Sequence, residues 1–273
     1  MTKRLRNSKT QKERVRGPAP QSLIMGRNCI EEVLRHRPET LQHVFLAESR
    51  GGVDGRRGAL EADLRRLRIP FSQHARHELD DMVVSDSHQG VVGQIASRSF
   101  LSLDDLCDMA RTGERLRLLA LDGVVDPQNF GAVLRAAECF GIDAVLWSKN
   151  RGAPLGPVVS KASVGASELV GLCPVSNLHQ ALESLKKAGV WSVGAIASAD
   201  AESLERFEFP DRCVVVMGSE GEGIQHLIER NLDFRVCIAM FGQVSSLNVS
   251  QATTVILHQL AIQHRKLGDV KVV

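Results

Sequence analysis

A chain of 273 residues that is 43% hydrophobic can bury one or two substantial cores. No stretch approaches the roughly 18 consecutive apolar residues of a membrane span, and the first twenty residues lack the apolar h-region of a secretory signal, so a soluble cytoplasmic protein is expected. The net charge of +2 hides an asymmetry: residues 1–16 hold seven basic residues against one acid, Glu13, a local +6 that leaves −4 on the remainder, so any grip on a polyanion must be local.

In chain order, residues 1–20 read as a basic, disordered tail able to neutralise phosphates, with Pro18 and Pro20 near its end. A helix is predicted over Arg27–Arg37 through Ile30, Val33 and Leu34, then a strand at His43–Ala47, a glycine-rich turn at Gly51–Gly58, and a second helix running to Leu67. Leu60, Leu64 and Leu67 form the apolar side of that helix. Arg57, Arg65, Arg66 and Arg68 lie elsewhere on it, among Glu61 and Asp63, which fits either RNA contact or an ordinary charged face. Short strands at Ile69–Phe71 and Val91–Ile95 complete a small α/β domain over residues 21–98, and residues 99–115 read as a linker.

Residues 116–268 form the second predicted domain. Apolar runs at Leu116–Leu121, Ala144–Trp147, Trp191–Ile196, Cys213–Met217 and Arg235–Ile238 read as strands; Gln128–Phe140, Asn177–Ala188, Gly223–Asn231 and Ser246–Arg265 read as helices. This alternation implies a mostly parallel sheet with helices on both faces, whose ligands sit beyond the carboxyl ends of the strands.

Three loops fall at such ends. The first, Asp126-Pro127-Gln128-Asn129-Phe130-Gly131, opens a helix on which Arg135 follows one turn after Gly131, whose missing side chain leaves room for a guanidinium able to grip a phosphate or ribose oxygen. The second, Met217-Gly218-Ser219-Glu220-Gly221-Glu222-Gly223, lacks both the Lys-Ser/Thr of a phosphate loop and the G-x-G-x-x-G spacing, and its carboxylates disfavour a pyrophosphate. An uncharged or cationic ligand suits it better. In the third, Ile238 to Ala252, Ser245 or Ser246 is expected to cap a helix, leaving Asn248 free in its first turn.

Together, Asn129…Arg135, Gly218-Ser219-Glu220-Gly221-x-Gly223 and Ser246-Leu247-Asn248-Val249-Ser250 resemble, in order and spacing, the three motifs of the SpoU (TrmH-like) RNA 2′-O-methyltransferases. Met25-Gly26-Arg27-Asn28 and His88-Gln89-Gly90-Val91 are similar to that family's L30e-like substrate-binding domain. Lys149-Asn150-Arg151 and Lys161-Ala162-Ser163-x-Gly165-Ala166 are most similar to the members that methylate guanosine in 23S rRNA. One departure is Ala239, where many members have proline.

The resemblance implies a C-terminal trefoil-knotted sheet, an exception to the rule against threaded chains. It also implies S-adenosylmethionine as methyl donor, held in the knotted loops around Gly218, Ile238 and Leu247 with Ala195, Met217 and Gly223 nearby. Arg135 is then the essential residue, as base or as phosphate or oxyanion clamp, although free arginine is not readily deprotonated. Asn129, Glu220, Ser246 and Asn248 position it and the ribose. A homodimer acting on 23S rRNA or a ribosomal precursor, with no membrane association, is the expected assembly. Methylation of tRNA or of another rRNA nucleotide is the alternative, and a non-catalytic ribosome-assembly protein a remoter one.

No metal is expected. His74-x-x-His77 and His88 sit in what reads as a loop without acidic or thiol support, and Cys29, Cys107, Cys139, Cys173, Cys213 and Cys237 are scattered singly, which predicts reduced, mostly buried thiols. Tyrosine is absent and aromatics make up 4% of the chain, so RNA recognition is expected to rely on arginine, lysine and RNA shape.

Overall fold

The computed structural model describes residues 22–48, 55–198, 200–244 and 246–264. The basic tail, residues 51–54 of the glycine-rich turn, Ser245 and the last residues of the second domain lie outside them.

Two sheets organise the chain. The smaller has the order β1-β4-β2-β3, built from β1 (Leu23–Met25), β2 (Leu41–Ala47), β3 (Phe71–His74) and β4 (Val91–Ile95). Alternating apolar residues send Ile24, Val44 and Leu46 to one face, against α1 (Arg27–His36) and α2 (Gly55–Arg66). Leu23, Met25 and Val92 point to the other, against α3 (Arg76–Val83). Three arginines of α2 pair with acids of the same helix, Arg57 and Arg65 with Glu61 and Arg66 with Asp63 at 2.8 Å, and Arg57 also donates to the Ala47 carbonyl. That favours the charged-face reading. Two of the three histidines are not in a loop as expected; His88 does lie in the loop between α3 and β4. His74 ends β3, His77 lies in α3, and His88 is fully buried, donating from Nε2 to Asp80 at 2.7 Å and accepting the Gly90 amide at Nδ1, 3.0 Å. Among the described residues, no cluster of His, Cys, Asp or Glu could hold a metal.

The larger sheet has seven strands in the order β7-β6-β5-β10-β8-β11-β9, and every pair in it is parallel. Its strands are β5 (Leu116–Leu121), β6 (Ala144–Ser148), β7 (Gly171–Val175), β8 (Trp191–Ala195), β9 (Glu202–Ser203), β10 (Arg212–Met217) and β11 (Phe234–Cys237). Val214, Val215 and Val216 of β10 are all buried, because helices cover both faces. One face packs on α5 (Pro127–Cys139) and α9 (Val249–His264), the other on α4 (Leu103–Thr112) and α7 (Leu178–Lys187). Residues 99–115, read as a linker, thus contain a helix that contributes Leu106, Cys107 and Ala110 to the second core. Its start is a reciprocal Ser102–Asp105 capping box. The helix expected over Gly223–Asn231 shrinks to α8 (His226–Glu229).

The two sheets are joined through α6 (Pro157–Ala162) and the turn after it. Met25 donates its amide to Ser160 Oγ at 3.3 Å, and Arg37 donates to the Glu168 carbonyl at 2.9 Å. Arg98, just past β4, clasps the Glu168 carboxylate with Nε at 2.9 Å and Nη2 at 2.6 Å, both side chains being under a tenth exposed. Gly165, at φ +87°, brings the backbone against Cys29, where a Cβ would lie 3.0 Å from the Cys29 carbonyl oxygen.

At the opposite rim, Asp233 takes the amide and hydroxyl of Ser192 (2.9 and 2.7 Å) and the Lys186 ammonium (2.5 Å). Burial pushes its carboxyl up, but Lys186 and the Ser192 donors outweigh that and leave it below the usual carboxylate range. The stabilisation it gives is therefore present above the ordinary carboxylate pKa and is lost as pH falls through the depressed folded value. Denaturant unfolding across pH should show Asp233→Asn less stable than wild type at pH 7, with the gap closing below about pH 4. A pH-independent gap would rule out this linkage.

The cysteines behave as the sequence reading expects of core thiols. Burial pushes Cys29 and Cys213 up to about 12 and Cys173 up to about 11, and only Cys139 is exposed.

Candidate active site

The parallel order brings three loops to one rim. Gly194 of β8 pairs with Val216 of β10, and Ala195 with Val236 of β11, so Ala195, Met217 and Ile238 leave adjacent strands at the same level. After Met217 the chain folds back on itself: Ser219 and Gly223 exchange amide-to-carbonyl bonds of 3.0 and 3.1 Å, with Gly221 and Gly223 at positive φ. A Cβ on Gly218 would collide with the Gly223 backbone. That bridge takes Gly223 out of the helix expected over Gly223–Asn231.

Glu220, at the tip of this loop, ties the three motifs together. Its Oε1 accepts from Asn129 Nδ2 at 3.1 Å, from Asn248 Nδ2 at 2.5 Å and from the Val249 amide at 3.5 Å, while Asn248 Nδ2 also reaches Asn129 Oδ1 at 2.9 Å. Asn129 is placed by the start of α5, where Asp126 caps by accepting the Gln128 amide at 3.1 Å and Pro127 fills the first turn.

Asn248 starts α9. Contrary to the expectation that Ser245 or Ser246 caps this helix, Asn248 Oδ1 accepts the Ser250 amide at 2.8 Å and the Ser250 hydroxyl at 2.6 Å. Both ends of one amide are thus used, the oxygen for the helix and the nitrogen for Glu220 and Asn129. Asn248→Ala should lower stability by about 1–2 kcal/mol, measured by chemical denaturation. An unchanged midpoint would mean the cap is dispensable.

Arg135 stands apart. It lies six residues beyond Asn129 on α5, roughly 9 Å along the axis, is exposed, and has no hydrogen bond or ion pair among the described residues. The room expected for it at Gly131 does not exist: a Cβ there would run into Ala162 and lie 2.9 Å from the Val159 carbonyl oxygen, so Gly131 serves the close packing of α5 on α6. Ser246 and Leu247 are exposed on the loop before α9, Ile238 is half-buried, and Met217 is buried.

The sequence reading missed Asp122, which is 2% exposed at the end of β5. Both its oxygens bind Gln225, through the backbone amide at 2.7 Å and through the side-chain amide nitrogen, and Gln225 Oε1 in turn accepts from Arg151. This chain anchors the far side of the Gly218–Gly223 loop, beside a cleft of about 270 Å³. A carboxylate directly after a buried strand was the available signal.

Fold and site define an α/β protein of the doubly covered parallel-sheet class, with its ligand loops on the carboxyl rim. The model of the SpoU rRNA Methylase family matches residues 117–258, and that for RNA 2′-O ribose methyltransferase substrate binding matches residues 23–101. The 23S rRNA (guanosine-2′-O-)-methyltransferase RlmB of Pseudomonas aeruginosa is 38% identical over 245 residues, 89% of this chain and 97% of that protein. The protein of the same name from Pseudomonas syringae pv. tomato is 39% identical over 86% of this chain and 93% of its own. A crystal structure described as RNA 2′-O ribose methyltransferase shares the fold with a TM-score of 0.71 at 24% identity, covering 88% of each chain. The SpoU methyltransferase AviRb from Streptomyces viridochromogenes, in complex with the cofactor AdoMet, does so at 0.69 and 22%, covering 88% of this chain and 89% of its own. The chain belongs to the SpoU rRNA Methylase family.

Proposed function

We propose that this protein transfers a methyl group from S-adenosylmethionine to the ribose 2′-hydroxyl of a guanosine in 23S rRNA. The observation that carries the reading is the Glu220-centred network, in which Asn129 and Asn248 from motifs 119 residues apart meet on one carboxylate. Relatives named for this reaction, similar along nearly their whole length, support the substrate.

S-adenosylmethionine, when bound, supplies an electrophilic methyl on a sulfonium. The loops around Ala195, Gly218, Gly223, Ile238 and Leu247 fit it chemically: residues 195–201, 217–224 and 237–248 contain no lysine or arginine but do contain Glu220 and Glu222, as suits a cation without phosphate. Asn129, Glu220 and Asn248 hold the three loops in register, with Ser246 beside them for the ribose. Arg135, unengaged and exposed, grips the ribose oxygen or its phosphate bidentately. We further infer the family's trefoil knot: the Leu204 amide donates to the Cys237 carbonyl at 2.9 Å, so segment 200–211 closes over the end of β11 where the chain passes on toward α9. A cytoplasmic homodimer fits the same reading, since Val255 and Ile262 on α9, which packs along α5, are 41% and 58% exposed.

The test is labelled methyl transfer to unmodified 23S rRNA, with the modified position mapped. Incorporation at one guanosine 2′-oxygen is expected; incorporation into tRNA but not 23S rRNA overturns the substrate, and none into either overturns the activity.

A further inference from the structure

A second groove, of about 590 Å³, lies on the same rim but two strands from β10, at the carboxyl ends of β6 and β7. Phe100, Leu103, Lys149, Pro174, Asn177 and Ser184 line it. Lys149 is its one charged lining residue among the described residues, and no carboxylate lines it. The cleft beside Asp122 differs, with Asp122, Glu222 and Glu229 in its wall alongside Arg151.

Two properties of this groove match a nucleotide. Phe100 is 48% exposed, and the buried Trp147 braces its ring edge-on, with centroids 6.5 Å apart at 62°. In a chain with few aromatics, that is a half-solvated ring beside a lysine. The rim also divides by charge. The loops assigned to S-adenosylmethionine lack lysine and arginine, whereas the turn after β6 carries Lys149 at this groove, its neighbour Arg151 being held by Gln225 at the Asp122 cleft. A polyanion along the rim is therefore drawn toward β6 and β7.

We propose that this groove is a binding site for an unpaired nucleotide of the RNA flanking the methylated one, its base against Phe100 and its phosphate on Lys149. Asn177 and Ser184 add polar atoms for base edges, Asn177 using its Oδ1 to cap α7 at Gln180 and leaving its amide nitrogen to donate. The inference rests on the RNA-methylating reading but is testable without turnover.

Fluorescence anisotropy would measure binding of a labelled single-stranded oligoribonucleotide, and of an RNA duplex of equal length, to the full chain. Wild type is compared with Phe100→Ala, which removes the ring, and Ser184→Trp, which fills the groove from α7. Both variants should bind the single strand about tenfold more weakly, the scale of one lost base–aromatic contact, with duplex and S-adenosylmethionine binding unchanged. Wild-type affinity for the single strand in both variants overturns the site, as does equal loss on the duplex. If 23S rRNA methylation fails while the single-strand loss appears, the functional reading falls and the groove stands; normal methylation with no variant effect is the reverse.

Discussion

Replacing Arg135 with alanine should lower the methyl-transfer rate at saturating RNA and S-adenosylmethionine by about 10²–10³-fold, roughly 3–4 kcal/mol of transition-state stabilisation. Thermal stability should not change, because the side chain is exposed and bonded to nothing among the described residues. That combination separates it from Asn248, whose replacement disturbs both the helix start and the Glu220 network. Arg135→Lys distinguishes ways of acting. A bidentate clamp is not replaced by an ammonium, so lysine should recover less than about a tenth of the lost rate. Full recovery would show that a point charge suffices, and an undiminished rate in the alanine variant would remove Arg135 from the site.

The largest expected effect on stability is at Glu168. Its carboxylate is nearly enclosed and takes both Arg98 nitrogens and the Ser167 hydroxyl, while its carbonyl takes Arg37. Glu168→Ala removes one partner of a buried ion pair, which costs about 3–5 kcal/mol, more than replacing both with apolar residues would. Glu168 belongs to the large-sheet half and Arg98 follows the small sheet, so scanning calorimetry should show the single transition splitting, with the small sheet released first. The double variant Arg98→Met with Glu168→Leu should recover part of the loss. A Glu168→Ala melting curve superimposable on wild type would show that the halves are held by apolar contact alone.

What the sequence made legible follows burial. Val91–Ile95 and Leu116–Leu121 were placed to the residue, because apolar runs broken only by Gln94 and Arg117 admit few other readings. Strand β7 was missed because Pro174 interrupts it, and proline is tolerated there only because β7 is an edge. Helix α3 was missed because Arg76, His77, Glu78, Asp80 and Asp81 leave little apolar stripe. Helix α4 had a legible signal, the Ser102–Asp105 box before Leu106. At the site, the motif residues were legible as motifs but not as a network, since the bonds on Glu220 span 91 and 28 residues. The role of Gly131 was misjudged for the same reason: whether a glycine makes room for an arginine or for a helix depends on α6, which no local pattern announces.

The position of β10 has a consequence for how the protein comes off the ribosome. The small sheet is complete once β4 has emerged, but the large sheet is assembled around a strand made more than a hundred residues later, which must enter between β5 and β8. Until Arg212–Met217 is synthesised, the inner edges of β5 and β8 remain unpaired, and such late, long-range parallel pairing is intrinsically slow. The nascent chain therefore carries a finished small domain, and with it the Arg98 half of the clasp, well before Glu168 is made and longer still before the rim exists. Its small-sheet half precedes its chemistry in time as well as in sequence.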